Sequence, residues 1–337
     1  MTVRIGVNGF GRMGRLVVRA LRDHDDLRVV HVNEHKGGIA TAAHLLAFDS
    51  VHGRYPGEVD VDDGHLVIDG CAATFSEHSA PGDIAWSELG VDLVIEATGA
   101  FKTADRIEPH LAQGASKVVV ACPVKSDGVL NVVMGCNDHL YDPDVHQIVT
   151  AASCTTNCLA PVVKVLHDAI GIERGAITTV HDVTNTQVIV DAPHKDLRRA
   201  RSALNSLIPT STGSATAITL IYPELTGKLD GLAVRVPLLN ASLTDCVFTM
   251  QRDVTVDEVN GLFREAADGD LHGILGYETR PLVSADYTND TRSGIVDGPS
   301  TMVIDGQMVK VLVWYDNEYG YVHRLAELSA LVGASLG

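Results

Sequence analysis

The sequence predicts an α/β chain of two domains, the first built on a doubly wound parallel sheet, and three observations carry that expectation. The chain has 337 residues, more than a usual single domain, so two domains of roughly 150 residues each are expected. Short apolar runs of strand length alternate with helical patterns through the first half. The earliest run ends in a glycine-rich turn that opens a helix.

Val3 to Val7 form that run, ending at Asn8, and Gly9-Phe10-Gly11-Arg12-Met13-Gly14 follows as G-x-G-x-x-G before Leu16, Val17, Ala20 and Leu21 recur at helical spacing. The first glycine permits a tight turn, the second lets backbone approach a pyrophosphate, and the third allows close packing of helix on strand. A second strand, Leu27 to Val32, ends in Asn33-Glu34. Glu34 stands about 20 residues beyond the turn, where a carboxylate binds adenosine ribose hydroxyls and repels a 2′-phosphate, so NAD is expected over NADP. A solvated strand-end charge is the other reading, and Lys36 nearby softens the discrimination. Further buried strands are expected at Val91 to Ala97, Lys117 to Ala121 and Gln147 to Ala151. Ligands on such a sheet sit at strand carboxyl ends, so Thr98, Gly99, Ala121 and the segment after Ala151 should line one crevice.

Composition narrows the classes. Hydrophobic residues make up 45% and charged residues 20%, the balance of an ordinary globular protein. A net charge of −17 argues against nucleic-acid binding, whose footprint is basic. No run of about 18 apolar residues suggests a membrane span, and the N-terminus lacks a signal-peptide core. A soluble, cytoplasmic protein is expected. Six cysteines and fifteen histidines form no CxxC and no HExxH, so neither a disulfide framework nor a metal site is expected.

One of those thiols stands apart. The strand near Ala151 runs into Ser153-Cys154-Thr155-Thr156-Asn157-Cys158 and then a helical pattern through Leu159, Val162, Val163 and Leu166. Cys154 therefore opens a helix, where free N–H groups and the helix dipole favour a thiolate and can stabilise an oxyanion. Cys158, one turn deeper, reads as a buried structural thiol. A thiol nucleophile needs a basic partner, and the next candidate is His181, at the end of the alternating strand Ala176 to Val180. Spacing alone leaves a core or surface histidine equally open. Downstream, Thr184, Thr212 and Gly213 offer anion donors while Arg198, Arg199 and Arg201 supply charge. A solvated or interface loop is the alternative for the arginines.

With these residues in place, the chain resembles glyceraldehyde-3-phosphate dehydrogenase over essentially its whole length. NGFGRMGR, ASCTTNC, DLRRAR, PTSTGSA, GKLDGLAVRVP and YDNEYGY carry the resemblance. It implies a Rossmann NAD-binding domain over residues 1–152, to which a C-terminal helix within 318–337 returns, and an α+β catalytic domain over 153–317 on a largely antiparallel or mixed sheet. It implies Cys154 as nucleophile and His181 as its activator. One anion site would draw on Ser153, Thr155, Arg199, Thr212 and Gly213, and a second, nearer the cofactor, on Thr184 and Arg235. The resemblance assigns Asn8 to Gly14, Glu34, Thr98, Gly99, Ala121, Asn317 and Tyr321 to the cofactor. A loop over residues 183–205 would cross a subunit interface in a homotetramer.

The chain also departs from the common pattern of that family. Thr186 and Glu34 each stand where glycolytic members commonly carry aspartate, and His78 stands near the place of an arginine that reaches the adenine side. The runs HVNEHKGG, TAAHLLAFDSVHGR and HDVTNTQVIVDAPHKDLRRARS resemble the variant associated with arsenate-resistance operons. The expected reaction is phosphorylating oxidation of glyceraldehyde 3-phosphate, with phosphate or arsenate as acceptor. An erythrose-4-phosphate dehydrogenase is the enzymatic alternative, and a binding or regulatory protein the alternative of another class.

Overall fold

A computed structural model describes residues 2–337, apart from the side chains of 214–216. The chain divides into two units, one running to Ser153 and including Val322–Gly337, the other Cys154–Tyr321.

The first unit is a nine-stranded sheet in the order Leu130–Asn131, Ile148–Thr150, Lys117–Val120, Leu93–Glu96, Val3–Asn8, Leu27–Asn33, Cys71–Ser76, His65–Ile68 and Val59–Asp62. All pairs from the first of these to Cys71–Ser76 are parallel, and only the last two strands close as an antiparallel edge. Chain order reverses at Val3–Asn8, which pairs with Leu27–Asn33 on one side and Leu93–Glu96 on the other. Such a reversal opens a crevice at the strand carboxyl ends, where Asn8, Asn33 and Glu96 lie.

Ile84, Trp86, Val94, Ile107, Val118 and Val120 form one core cluster in this unit. Each side chain of this size, fully buried, contributes roughly 1.5–3 kcal/mol. In the last helix, Tyr319–Ala334, a Cβ on Gly333 would meet Val3 and Leu27, so the helix end lies against the first two strands of its own unit.

The expected strands of this unit are present with ends shifted by up to two residues. The edge hairpin Val59–Ile68 is an addition to them.

The second unit carries a mixed sheet in the order Ile208–Ser211, Leu229–Arg235, Ile172–His181, Ser242–Met250, Met308–Tyr315, Gly294–Asp297 and Leu275–Glu278, with Met302–Ile304 added alongside Met308–Tyr315. The long helix Cys154–Ala169 packs on this sheet. Gly294 makes the approach possible, since a Cβ there would sit 3.1 Å from the Cys158 carbonyl oxygen. A Rossmann sheet joined in sequence to an α+β unit is the fold class the sequence predicts.

No helix among the described residues is long and apolar enough to cross a membrane. No group of three or more His, Cys, Asp or Glu among them is arranged to hold a metal ion.

Candidate active site

The glycine turn of the first unit has a separate physical reason for each glycine. Gly9 adopts φ +89°, which a side chain would strain. Gly14 is so close to its strand that a Cβ would collide with the Gly9 carbonyl oxygen. Gly11, the N-cap of Arg12–Leu21, has nothing within 4 Å of where a Cβ would stand, and no side chain caps the helix. The space beside the helix start is therefore open, as close approach of an anionic phosphate requires.

Around that turn, Glu34 Oε2 accepts from Phe10 N at 2.8 Å, so the carboxylate of the second strand borders the cradle. The ring of Phe10 is buried, and the Arg12 guanidinium pairs with Asp49. Asn33 Oδ1 accepts from His78 N at 2.8 Å, which fixes the His78 backbone while its side chain is exposed. Gly99 takes φ +66°, and Ala121 N donates to the Glu96 carbonyl oxygen at 2.8 Å.

Beneath these groups is a polar chain that the sequence reading took only as part of a buried strand. The Glu96 carboxylate accepts from Asn8 Nδ2 at 2.5 Å, His110 Nε2 at 3.0 Å, Thr98 N at 2.8 Å and the Thr98 hydroxyl. Trp86 Nε1 donates to His110 Nδ1 at 3.0 Å, so the His110 proton sits on Nε2, facing the carboxylate. Glu96 thus ties Asn8 and Thr98 together at the ends of adjacent strands. A carboxylate within the run Leu-Val-Ile-Glu is the signal for it. The open glycine turn, its bordering carboxylate and this fixed crevice fit a dinucleotide.

In the second unit Cys154 is the first residue of its helix, and no acidic residue occupies the first turn. The chain enters through Ala152 at φ +51°, a left-handed conformation that costs a non-glycine residue roughly 1–2 kcal/mol. Cys154 Sγ lies 3.6 Å from His181 Nε2. Burial pushes the thiol up, but the hydrogen bond and charge of His181, with Arg235 adding, outweigh it and hold Cys154 below the ordinary thiol range. Burial opposes the imidazolium too, yet Asp182 and Cys154 outweigh that, and His181 is pushed up to about 9.

The contrast with the neighbouring thiols is chemical. Burial pushes Cys158 up to about 12 and Cys246 well above the ordinary thiol range, and Cys158 only donates weakly to Thr244 at 3.7 Å. Neither competes as a nucleophile.

His181 closes strand Ile172–His181 and is in register with Arg235 on the parallel neighbour Leu229–Arg235. That register brings Arg235 Nη1 to 2.6 Å from His181 Nδ1 and 3.1 Å from the Asp182 carbonyl oxygen. Arg235 Nε is buried with no acceptor among the described residues. Asp182 Oδ1 is 2.7 Å from the same imidazole nitrogen. Tyr315 Oη contacts Thr155 Oγ1 at 3.0 Å and Thr179 Oγ1 at 2.7 Å, fastening the first turn of the helix to the sheet. The Thr155 hydroxyl is thereby turned to Tyr315.

The remaining expected residues fall in two groups. Thr184 Oγ1 is 2.9 Å from Thr186 Oγ1, which accepts from Arg199 Nη1 at 3.4 Å, while Arg199 Nε donates to Thr210 at 2.9 Å. Thr186 therefore links the two expected anion positions, a connection the sequence reading did not make. Asn317 Nδ2 donates to Asp182 Oδ2 at 2.9 Å. Asn317 is thus used within its own unit, and Tyr321 is buried. Of the other expected residues, Gly213 is the N-cap of helix Ser214–Ile221, and Ser153 and Thr212 are half-buried.

Comparison with known proteins shows the family. The family model described as the C-terminal domain of glyceraldehyde 3-phosphate dehydrogenase matches residues 153–317, and the one described as its NAD binding domain matches residues 3–104. The chain is 60% identical over 337 residues to glyceraldehyde-3-phosphate dehydrogenase 3 of Nostoc sp., covering all of both chains. It is 51% identical over 334 residues to glyceraldehyde-3-phosphate dehydrogenase of Geobacillus stearothermophilus, covering 99% of each, and 49% identical over 338 residues to that of Streptomyces coelicolor, covering 100% of each. With a glycine cradle, an activated thiol and full-length similarity in agreement, the chain belongs to the glyceraldehyde-3-phosphate dehydrogenase family and is an NAD-dependent enzyme.

Proposed function

We propose that this enzyme oxidises glyceraldehyde 3-phosphate through a thioester on Cys154 and releases it to an inorganic oxyanion, phosphate or arsenate. The observation that carries the reading is the Cys154 thiol at a helix N-terminus, 3.6 Å from His181 Nε2. The thiolate adds to the aldehyde carbon, and the His181 imidazolium protonates the oxygen to give a hemithioacetal. NAD, when bound, supplies the acceptor for the hydride that leaves this carbon. His181 takes the hydroxyl proton as the carbonyl re-forms, leaving the thioester. Oxyanion attack on that carbonyl expels the thiolate and yields 1,3-bisphosphoglycerate or 1-arseno-3-phosphoglycerate.

The residues divide by role in this reading. Asn8 to Gly14, Glu34, His78, Thr98, Gly99, Ala121, Asn317 and Tyr321 hold the cofactor, with residues 1–152 and the returning C-terminal helix as its domain and 153–317 as the catalytic one. Ser153, Thr155, Arg199, Thr212 and Gly213 take the attacking oxyanion. Thr184 and Arg235 take the substrate phosphate, for which the orphaned Arg235 Nε is a ready donor. Thr186, bonded to Thr184 and Arg199, sets a hydroxyl where a carboxylate would repel either oxyanion, so arsenate is accepted alongside phosphate in this reading. A homotetramer in the cytoplasm is part of the same reading: Ile189, Val190, Leu197 and Leu204 are exposed on the 183–205 loop and suit a second copy.

The test is NADH formation from glyceraldehyde 3-phosphate with and without each oxyanion. Turnover that requires phosphate or arsenate, with higher kcat/KM than for erythrose 4-phosphate, supports the reading. Steady turnover without either oxyanion, or a preference for erythrose 4-phosphate, overturns it. Sedimentation of the purified enzyme as a monomer would remove the tetramer.

A further inference from the structure

We propose that Asp182 is a positioning residue that completes a Cys154–His181–Asp182 relay, keeping the imidazole proton on Nδ1 so that Nε2 faces the thiol. This rests on the reading of Cys154 as the nucleophile and adds a third member to the pair.

The geometry is specific. Asp182 is chain neighbour to His181, and successive side chains on a strand point to opposite faces. The strand ends at His181, however, and Asp182 Oδ1 comes to 2.7 Å from His181 Nδ1. Two side chains, Asn317 and Ser242, hold Asp182. Asn317 Nδ2 donates to Oδ2 at 2.9 Å, Ser242 Oγ donates to Oδ1 at 3.4 Å, and Ser242 Oγ also accepts from Asp182 N at 3.1 Å. The single Ser242 O–H is shared with Asn317 Oδ1, 3.2 Å away, so the two supports lie against each other. Asp182, Ser242 and Asn317 are all buried. A buried carboxylate so supported and aimed at a buried imidazole nitrogen is the orienting third group of nucleophile and base arrangements.

Arg235 is the rival for that nitrogen. A guanidinium only donates, so its 2.6 Å contact is a hydrogen bond only while Nδ1 lacks a proton, whereas the carboxylate accepts only while Nδ1 has one. Arg235 retains the Asp182 carbonyl oxygen, at 3.1 Å, as an alternative acceptor. The Asp182 carbonyl oxygen also lies 3.0 Å from Nδ1 as a neutral acceptor, but no other carboxylate among the described residues contacts the imidazole. The charged and titratable groups facing His181 are Cys154 from the helix, Arg235 from the parallel strand, Tyr315 in edge-on ring contact across the sheet, and Asp182 itself. Glu318 adds negative charge near Asp182.

The experiment measures the pH midpoint of Cys154 alkylation by iodoacetamide in the NAD-loaded enzyme, together with kcat and KM. In Asp182→Asn the midpoint should rise by at least about one unit, a tenfold loss of thiolate at any pH below both midpoints. Its kcat should fall roughly 10²-fold or more while KM for the aldehyde stays within about threefold. Ser242→Ala, which leaves the carboxylate but removes one support, should move the midpoint the same way by about a third as much. Unchanged midpoints in both variants overturn the proposal. If Cys154 of the unsubstituted enzyme alkylates only at the pH of an ordinary thiol, the nucleophile reading fails first and the relay with it.

Discussion

Two helices of this chain begin directly after a parallel strand, and their first turns are used in opposite ways. Neither Arg12–Leu21 nor Cys154–Ala169 carries an acidic residue in its first turn, although one would be favourable there. At the first helix the cap is Gly11, with open space where a side chain would stand. At the second the opening residue is a thiol, and His181 stands 3.6 Å from its sulfur. The same helix dipole is thus available to an external anion in one unit and to a charge created within the protein in the other. In the proposed reading backbone electrostatics make both sites, and the side chain decides between reversible binding and covalent chemistry.

That comparison breaks most sharply at the thiol. Cys154→Ser should reduce aldehyde-dependent NADH formation by at least about 10³-fold while NAD affinity, measured by fluorescence titration, stays within about twofold. Loss of NAD binding in that variant would mean that the two helix starts are not independent.

The glycine turn is the next point of attack. Gly14→Ala drives a Cβ into the Gly9 carbonyl oxygen, so a fall in unfolding free energy of about 3 kcal/mol or more is expected by denaturant titration. Gly11→Ala meets no atom and should fold normally, yet weaken NAD by roughly tenfold by occupying the space kept for the pyrophosphate. Equal effects of the two substitutions would contradict the separate roles given to the glycines.

The thiol site should also show a pH signature that the glycine cradle lacks. With His181 pushed up to about 9 and Cys154 held below the ordinary thiol range, the active thiolate–imidazolium pair exists between those limits. kcat/KM should therefore fall as pH rises through about 9, where the imidazolium is lost, while NAD affinity stays flat. The raised histidine adds stability that is fully present below its ordinary range near 6.5 and is lost as pH rises through about 9. The smallest effect is expected at the anion position: Thr186→Asp should raise KM for phosphate and arsenate about three- to tenfold by partly neutralising Arg199.

Much of the first region was legible in the sequence because its signals are local. A strand, three glycines and an acidic residue at the next strand end are all set by short-range geometry. Cys154 was legible for the same reason, and its separation from Cys158 needed only the helix start. The hairpin Val59–Ile68 had a readable signal, since Asp63-Gly64 lies between alternating stretches and takes φ 44° and 75° there, but it was not among the expected strands. The support of the thiol was the least legible part. Arg235 reaches His181 through a parallel register, and Asp182 meets Asn317 and Ser242 from distant segments. The His-Asp pair was visible, but strand alternation predicts opposite faces for such neighbours, and only the end of the strand at His181 reverses that.

The most direct measurement is a rapid quench of the NAD-loaded enzyme with glyceraldehyde 3-phosphate in the absence of phosphate and arsenate, followed by peptide mass spectrometry. An acyl group carried on Cys154, formed with one equivalent of NADH and discharged when either oxyanion is added, is the predicted result. NADH formed while Cys154 stays unmodified, or an acyl group carried on another residue, would contradict the thioester mechanism.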